Sequence, residues 1–351
     1  DSFSVGEGTT EVVLSLSGVE DTNGSSVFDA GTSLTLIEGY DGTVALDGKL
    51  VLSSQSGTLE QSILQNNVHV ATFTYGNGQL NSSNGSVEAV WSLTEIALED
   101  ETELGLNISA ADEEGQSGSI SALISGTGNI TFSGGTVVVA HDNTYDGTTY
   151  VTGGVLQLGS NNALGQASAR NDLDVSGGIV DFGGHSQTLG TLTIDEGAGF
   201  SANGASITLS AGNSLIAGAN DGATGTYVLQ NAGTTLELND ALATGSMTVS
   251  MGEGTTLVLD GFGTSDAYGT YSNHIDGGEV QIGGGQDEAS AYVELTDHTS
   301  SFETASVMGD GHLLVNNVEG GLMFESLDIA SGGSATLNGT TGWTLDEALT
   351  L

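Results

Sequence analysis

Three double glycines divide the middle of the chain into units that share one pattern. They lie at Gly134-Gly135, Gly153-Gly154 and Gly177-Gly178, about 20 residues apart, a length typical of solenoid repeats. When the three pairs are aligned, the flanking residues fall into four shared, mostly apolar columns. These columns are Ile130, Thr149 and Leu173; Phe132, Val151 and Val175; Val137, Leu156 and Val180; and Val139, Leu158 and Phe182.

The residues between these columns are mostly polar or small, as at Thr131, Gln157 and Asp181. Alternation with a period of two predicts β-strands that bury one face and leave the other in water. A unit of this length is too short for a helical crossover between parallel strands. It fits one turn of a coil in which each strand lies about 4.8 Å above its equivalent in the previous turn. The repeat therefore predicts an all-β chain folded as a parallel β-helix, a solenoid with glycine at its corners.

The combination of glycine and a short alternating strand continues toward the end of the chain. It recurs in GTTLELND from Gly233, GEGTTLVLDG from Gly252, GGEVQIGG from Gly277 and GGSATLNG from Gly332, with an echo in AGTSLTLIEG from Ala30. The N-terminal third is less regular, and the segment from Ser86 to Asn107 is compatible with strand or with a short helix. We therefore predict a β-rich N-terminal region over residues 1–115, forming a cap or irregular rungs, and a parallel β-helix over residues 116–351.

Composition agrees with a folded chain of many short strands. Hydrophobic residues make up 37% of the 351 positions and the mean hydropathy is +0.03, too apolar for a disordered acidic chain. There are 56 glycines but no proline and no cysteine, so tight turns are frequent and disulfide bonds are excluded. No apolar run approaches the roughly 18 residues of a membrane-spanning helix, and we predict no direct membrane insertion.

The chain is strongly acidic, with 45 Asp and Glu residues against Lys49 and Arg170, for a formal net charge of -43. Nucleic-acid binding depends on Lys and Arg that neutralise phosphates, so nucleic acid is excluded as a partner. Polyuronate lyases need basic residues to neutralise substrate carboxylates, and the net charge would repel such substrates. Cationic partners and calcium stay compatible with this charge.

One stretch of the repeat resembles a known family. The matching sequences are NTYDGTTYVTGGVLQLG from Asn143, NALG from Asn162 and SGGIVDFGGHSQTLGTL from Ser176. Together they are similar to the autotransporter-associated β-strand repeat, also called the passenger-associated transport repeat. One departure is that Asp146-Gly147 stands where the family usually has Thr-Gly. The resemblance covers residues 143–197, with weaker echoes elsewhere.

The resemblance implies a right-handed parallel β-helix in a passenger exported across the bacterial outer membrane. Such a passenger is displayed at the cell surface or released into the extracellular space. Members of the family usually end in a membrane β-barrel of alternating strands. This sequence ends with TLDEALTL and shows no such pattern, so we expect the resemblance to describe the passenger without that C-terminal barrel.

No residue pattern in the chain points to catalysis or to a cofactor. The nucleophile motif G-x-S-x-G does not occur, and the six histidines, at positions 69, 141, 185, 274, 298 and 312, lack metal-ligand spacing. A carboxylate-based glycoside hydrolase stays as an alternative, because it needs only two suitably spaced acidic residues. We interpret Asp174 and Asp181, at outward strand positions, as part of a solvated face. The sequence therefore predicts a protein that is not an enzyme.

Calcium is the one ion that the sequence leaves open. Weak candidate ligands lie in the clusters LEDETE and ADEEG: Glu99, Asp100, Glu101, Glu103, Asp112, Glu113 and Glu114. The nearest approach to a calcium-binding β-roll repeat, GGGQDEAS from Gly283, lacks its spacing and its repetition. Because a run of charge is usually a solvated loop, these residues predict a weak site for a hard cation at most.

These observations favour a non-enzymatic extracellular structural or adhesive surface protein. If all residues formed rungs, the rod would be on the order of 80 Å long. It would present unpaired strand edges at both tips, which leads to the hypothesis of end-to-end stacking into a filament. The alternative is an adhesin module that binds a glycan or a host surface through outward aromatic rings, with Tyr75, Trp91 and Tyr145 as candidate contacts.

Overall fold

The computed structural model describes a chain built from β-strands and turns. The described residues are 12–14, 31–37, 50–52, 59–83, 86–106, 117–165, 171–220, 224–239, 246–285, 290–297, 299–317, 322–339 and 348–350. Within these ranges there is no α-helix, and hence no helix long and apolar enough to cross a membrane. Lys49 and Arg170, the two basic residues of the sequence, lie outside the described ranges.

The strands are numbered in chain order. They are β1 (Val12–Leu14), β2 (Gly31–Ile37), β3 (Leu50–Leu52), β4 (Leu59–Gln65), β5 (Val68–Ser83), β6 (Ser86–Leu98), β7 (Glu103–Leu106), β8 (Ser117–Ile120), β9 (Leu123–Gly126), β10 (Asn129–Phe132), β11 (Thr136–Val139), β12 (Thr149–Val151), β13 (Val155–Leu158), β14 (Leu173–Val175), β15 (Ile179–Asp181), β16 (Gln187–Leu189), β17 (Leu192–Ile194), β18 (Gly199–Ser201), β19 (Ser206–Leu209), β20 (Asn213–Ile216), β21 (Ala219–Asn220), β22 (Thr224–Leu229), β23 (Thr235–Asn239), β24 (Ser246–Met251), β25 (Thr256–Asp260), β26 (Gly269–Tyr271), β27 (His274–Asp276), β28 (Glu279–Ile282), β29 (Ala291–Leu295), β30 (Ser301–Val307), β31 (Gly311–Asn317), β32 (Met323–Ile329), β33 (Ser334–Gly339) and β34 (Ala348–Thr350).

From β7 onward the chain winds as a three-sided solenoid of parallel strands. Sheet 1 takes one strand from each turn: β7, β10, β12, β14, β17, β20, β23, β25, β28, β30, β32 and β34. Sheet 2 follows sheet 1 in each early turn and contains β8, β11, β13, β15, β18 and β21. In the later turns that place is taken by sheet 3, with β26, β29, β31 and β33.

Sheet 4 forms the remaining side from β16 onward and precedes sheet 1 in those turns. It contains β16, β19, β22, β24 and β27, and it merges with sheet 1 at β30. The merger occurs because β30 is long enough to pair at its start with β27 and further along with β28. The three sides enclose one continuous apolar core that runs along the solenoid axis.

The strand register confirms the predicted columns and the predicted parallel β-helix. Ile130 pairs with Thr149, which pairs with Leu173, and the next columns of sheets 1 and 2 follow the same order. All these inward side chains are buried. Phe182, directly after β15, packs edge to face on Phe200 of the next turn at 5.4 Å between ring centroids. One turn thus buries its side chains against the turns above and below it.

The double glycines form the corners between sheets 1 and 2, as predicted. Gly154 has a φ of 76°, a left-handed conformation that side chains resist. A Cβ at Gly154 would also lie 2.3 Å from the carbonyl oxygen of Gly135 in the preceding turn. Glycine is therefore required at this corner both by its backbone conformation and by the close approach of the neighbouring turn.

Buried amide and hydroxyl side chains join the turns where the strand ladder is interrupted. Asn143 accepts a hydrogen bond from the backbone N–H of Ile124 at 2.7 Å and donates one to the carbonyl of Ala163 at 2.7 Å. It therefore ties three consecutive turns together. Ser214 and Ser300 act in the same way, each accepting a bond from a backbone N–H of the preceding turn. These contacts satisfy backbone groups that would otherwise be buried without a partner.

The outward positions keep carboxylates apart along the ladders. In the strand registers of the described residues, no Asp or Glu is paired with another Asp or Glu. Glu279, for example, lies between Thr256 and Thr304. Glu103 accepts a hydrogen bond of 2.5 Å from the hydroxyl of Thr131 in the next turn. Like charges on paired residues are destabilising, so this arrangement lets an acidic chain stack.

Among the described strands before β7, β1 and β3 form a parallel pair, and β2, β4, β5 and β6 form a sheet that differs from the solenoid. β2, β6, β5 and β4 form an antiparallel sheet, so the segment left open between strand and helix from Ser86 is the strand β6. The echo of the repeat from Ala30 forms β2, but β2 pairs antiparallel with β6 and is not a rung. The end of β6 then pairs in parallel with β9 and provides the first layer under the solenoid.

Gln65, at the end of β4, covers the exposed edge of the first rung. Its side-chain amide donates to the carbonyl of Gly105 at 2.8 Å and accepts from the Gly105 N–H at 2.9 Å. Because β2, β4, β5 and β6 form an antiparallel sheet, the described solenoid length comes from the eleven steps of sheet 1. At about 4.8 Å each they give about 50 Å, shorter than the length expected if every residue formed rungs.

We expect Gly154→Ala to cost more stability than Gly197→Ala. Both replacements place an L residue at positive φ, which costs roughly 1 kcal/mol. Only Gly154 adds a clash with the preceding turn, because a Cβ at Gly197 meets nothing within 4 Å. The free energy of unfolding in urea should fall by about 2 kcal/mol more for Gly154→Ala. Equal losses for both variants would contradict close packing of the turns at this corner.

Gln65→Ala should loosen the first rung locally. Loss of two hydrogen bonds should lower stability by about 1 to 2 kcal/mol and should speed amide hydrogen exchange at Gly105. The matched control is Gln157→Ala, since Gln157 occupies an outward position on β13. If exchange at Gly105 is unchanged in the Gln65 variant, the amide does not protect this edge.

Candidate functional site

The aromatic rings expected to face a ligand are mostly inside the protein. Tyr75 is 6% exposed and Tyr145 is 1% exposed, so the expectation of outward rings is wrong for both. Tyr145 points into the core because its segment forms one side of a solenoid turn. The N–H of Thr144 donates a hydrogen bond to the carbonyl of Ile124 in the preceding turn. Trp91 lies on β6, and its side chain is outside the described part of the structure.

Tyr145 serves the core and not a binding surface. Its hydroxyl is 2.5 Å from the hydroxyl of Thr149. Burial raises the pKa of Tyr145 far above its usual value, and the hydrogen bond with Thr149 lowers it in part. Burial likewise raises the pKa values of Tyr227 and Tyr271. The three phenols therefore stay neutral in the folded protein.

The four described acidic residues proposed for calcium are not brought together around one point. Glu99 lies 3.6 Å from His69, while Asp100 accepts a hydrogen bond of 3.0 Å from Thr127. The remaining two described candidates are exposed: Glu101 and Glu103. Asp112, Glu113 and Glu114 fall outside the described ranges. Among the described residues no group of three or more His, Cys, Asp or Glu side chains is placed to hold a metal ion.

Asp174 and Asp181 do point outward, but from different sides of the solenoid. Asp174 lies on β14 in sheet 1, and Asp181 on β15 in sheet 2. Partial burial raises the pKa of Asp174, and the nearby charge of Asp195 raises it further. Asp181 accepts hydrogen bonds of 2.9 Å from the Gly183 N–H and from the Asn203 amide. The two carboxylates therefore do not face a common substrate position.

A histidine, an aspartate and a serine meet at the corner before β30 without forming a catalytic triad. His274 Nδ1 lies 2.9 Å from Asp297, and Ser300 donates to the same carboxylate oxygen at 2.7 Å. A nucleophilic serine would instead be hydrogen-bonded to the imidazole. Burial raises the pKa of Asp297, but hydrogen bonds from Ser300, His274 and Thr299 outweigh it and hold the pKa below its usual range. The group fastens one turn to the next.

The outer face of sheet 3 carries a row of aromatic side chains that the sequence reading missed. Tyr292 and His312 are in register on β29 and β31, and their rings stack at 4.2 Å with an angle of 18°. Tyr268, directly before β26, contacts Tyr292 at 5.7 Å and 88°. A signal was available, since Tyr292 alternates with the buried residues Ala291 and Val293. These rings are partly exposed, which makes this face the best candidate for a contact surface.

The buried tyrosines should make the fold sensitive to alkali. Folded Tyr145 keeps its proton at a pH at which the unfolded residue, with a pKa near 10, loses it. Stability should therefore be constant below about pH 10 and fall above it. We expect the drop in the urea midpoint between about pH 8 and about pH 11 to be smaller in Tyr145→Phe. Tyr150→Phe, at a partly exposed outward position, is the control and should behave as wild type.

Comparison with known proteins gives one informative relative. No family model matches the sequence. The chain is similar to "Uncharacterized protein YuaQ" of Escherichia coli (strain K12), with 31% identity over 194 residues. The match takes in 52% of this chain but only 14% of the length of that protein. The activity and the partners of the whole protein are therefore matters for proposal.

Proposed function

We propose that this chain is a non-enzymatic structural segment of a bacterial surface protein. As an elongated β-solenoid it holds other parts of the protein, or its own outer faces, at a distance from the cell surface. The observation that carries the proposal is the parallel ladder of sheet 1, which runs from β7 to β34. A ladder of this kind gives a rod whose length follows from the number of its turns.

The use of polar side chains in the interior supports this role. Asn143, Gln187 and Ser300 are buried and are engaged with backbone groups of neighbouring turns. Their hydrogen bonds join neighbouring turns, and such bonds help an elongated rod to keep its turns together. The His274 and Asp297 contact serves the same purpose at its corner.

Display at the bacterial surface is supported by the resemblance of residues 143–197 to autotransporter passenger repeats. The likeness to a bacterial protein agrees with this source. High net negative charge also suits an exposed rod, because copies repel one another side by side at low salt. We propose export across the outer membrane as the route.

End-to-end self-association is a second part of the proposal, supported by strand pairing that continues to β33 and β34. At the opposite tip the Gln65 amide already bonds the N–H and the carbonyl of Gly105 at the edge of β7. Filament growth by strand addition would have to displace this contact. Salt or divalent cations should promote growth by screening the negative charge.

The structural role predicts a rod without hydrolytic activity. Small-angle X-ray scattering of the purified chain should give an elongated particle, and incubation with neutral and acidic polysaccharides should release no reducing ends. The critical comparison is Asp174→Asn, because the pKa of this carboxyl is raised as in a general acid. Release of reducing ends by the wild type and not by Asp174→Asn would replace the structural role with a glycoside hydrolase. A compact particle in scattering would contradict the rod itself.

A further inference from the structure

The outer face of sheet 3 combines a row of rings with a row of amides. One outward row holds Tyr268, Tyr292 and His312. Alternate positions on β29 and β31, such as Val293 and Leu313, are buried in the core. Since the core is complete without them, the outward rings are not needed to fill it. Their position is better explained by contact with something outside the chain.

The rings are held in a fixed arrangement. Tyr292 and His312 stack face to face, and His312 Nδ1 lies 2.7 Å from the hydroxyl of Ser334 in the following turn. Tyr268 stands nearly perpendicular to Tyr292, at 88°, so it is not stacked on it. Tyr268 is therefore a partly exposed ring outside the stack of Tyr292 and His312. Rings fixed in advance lose little entropy when a ligand binds.

A row of polar groups runs along the same face. The side-chain amide of Asn338 donates to the side-chain oxygen of Asn316 at 2.9 Å. The side-chain amide of Asn316 in turn donates to the carboxylate of Glu294 at 2.6 Å. Each amide has two N–H donors, so each keeps one that these contacts do not use. Glu294 retains acceptor capacity for hydroxyl donors. The row offers donors and acceptors at successive turns of the same face, with Asn316 four residues along β31 from His312, a distance of roughly 13 Å.

The charge of the chain restricts the ligand. With a net charge of -43 the protein repels anionic chains. A polycation would be attracted to the acidic surface in general and would not need a row of rings. Flat apolar rings beside amides and a carboxylate suit an uncharged ligand that has both apolar faces and hydroxyl groups. Neutral polysaccharides have this combination.

The spacing of the rows favours an extended chain. Successive turns lie about 4.8 Å apart, so a ligand that contacts groups on several turns must extend over them. We propose that the outer face of sheet 3 binds a neutral, extended polysaccharide that crosses consecutive turns obliquely, with Tyr268 as the stacking ring and Asn316 and Asn338 as hydrogen-bonding groups. This binding is independent of the structural role, which does not require a ligand.

Affinity electrophoresis of the whole chain in gels containing xyloglucan, galactomannan or mixed-linkage β-glucan tests the proposal. We expect the wild type to be retarded by at least one of these neutral polysaccharides and not by polygalacturonate. Tyr268→Ala should weaken the retarding interaction by about fivefold to tenfold, the loss of one ring contact. Tyr150→Ala removes a partly exposed outward ring on sheet 1 and should bind as wild type.

Asn338→Ala provides a second variant, because Asn338 is exposed and its loss does not open the core. It should weaken binding severalfold, and circular dichroism should show an unchanged β spectrum. Binding would be assigned elsewhere if Tyr150→Ala lost as much affinity as Tyr268→Ala. The proposal is overturned if none of the neutral polysaccharides retards the wild type, or if only the anionic one does.

Discussion

Parallel backbone pairing between consecutive turns is the interaction on which the rest of this fold depends. Because each turn must return in register to the one before it, equivalent positions stack directly, as Val137, Leu156 and Val180 do. The same demand brings the corners of neighbouring turns close together, which excludes a side chain at Gly154. Where the chain leaves the ladder, side-chain amides such as Asn143 replace backbone partners. Core, corners and buried polar groups therefore follow from one geometric condition.

Stacking in register brings the outward side chains of successive turns close together, so it would concentrate negative charge in an acidic chain. The registers avoid this by placing neutral neighbours beside each carboxylate, often threonine or serine. Asp276 lies between Ser250 and Ser301. Glu279 pairs with Thr304, and its carboxylate also accepts a hydrogen bond from the hydroxyl of Ser306, two residues further along β30. Carboxylates that share a ladder, such as Asp174 and Glu237, are thereby separated by neutral residues. The abundance of hydroxyl residues is in this view a requirement of stacking with so many acidic groups.

Sequence reasoning could predict the solenoid because period-two alternation and double glycines both reflect the ladder, and the aligned columns proved to be the paired residues. It could not predict the antiparallel sheet, since the alternation from Ala30 is the same for either strand direction. Tyr145 was misplaced because the neighbouring inward positions, Asn143 and Gly147, are not apolar, so the sequence shows no hydrophobic alternation although burial alternates there. Tyr292 and His312 were missed because their pairing depends on the loop lengths between turns, which the alternation pattern does not determine.

A solenoid divides its residues into an interior that every turn shares and an exterior that each turn can vary. Substitutions at outward positions leave the core and the backbone pairing intact, so function can be added to one face without cost to the rod. The same geometry determines the form of such a site. A flat sheet with side chains repeated along the axis makes rows and not enclosed pockets, as Tyr268, Tyr292 and His312 do. A ligand suited to this protein should therefore itself be extended and repetitive, which ties the proposed polysaccharide to the same inter-turn pairing that builds the rod.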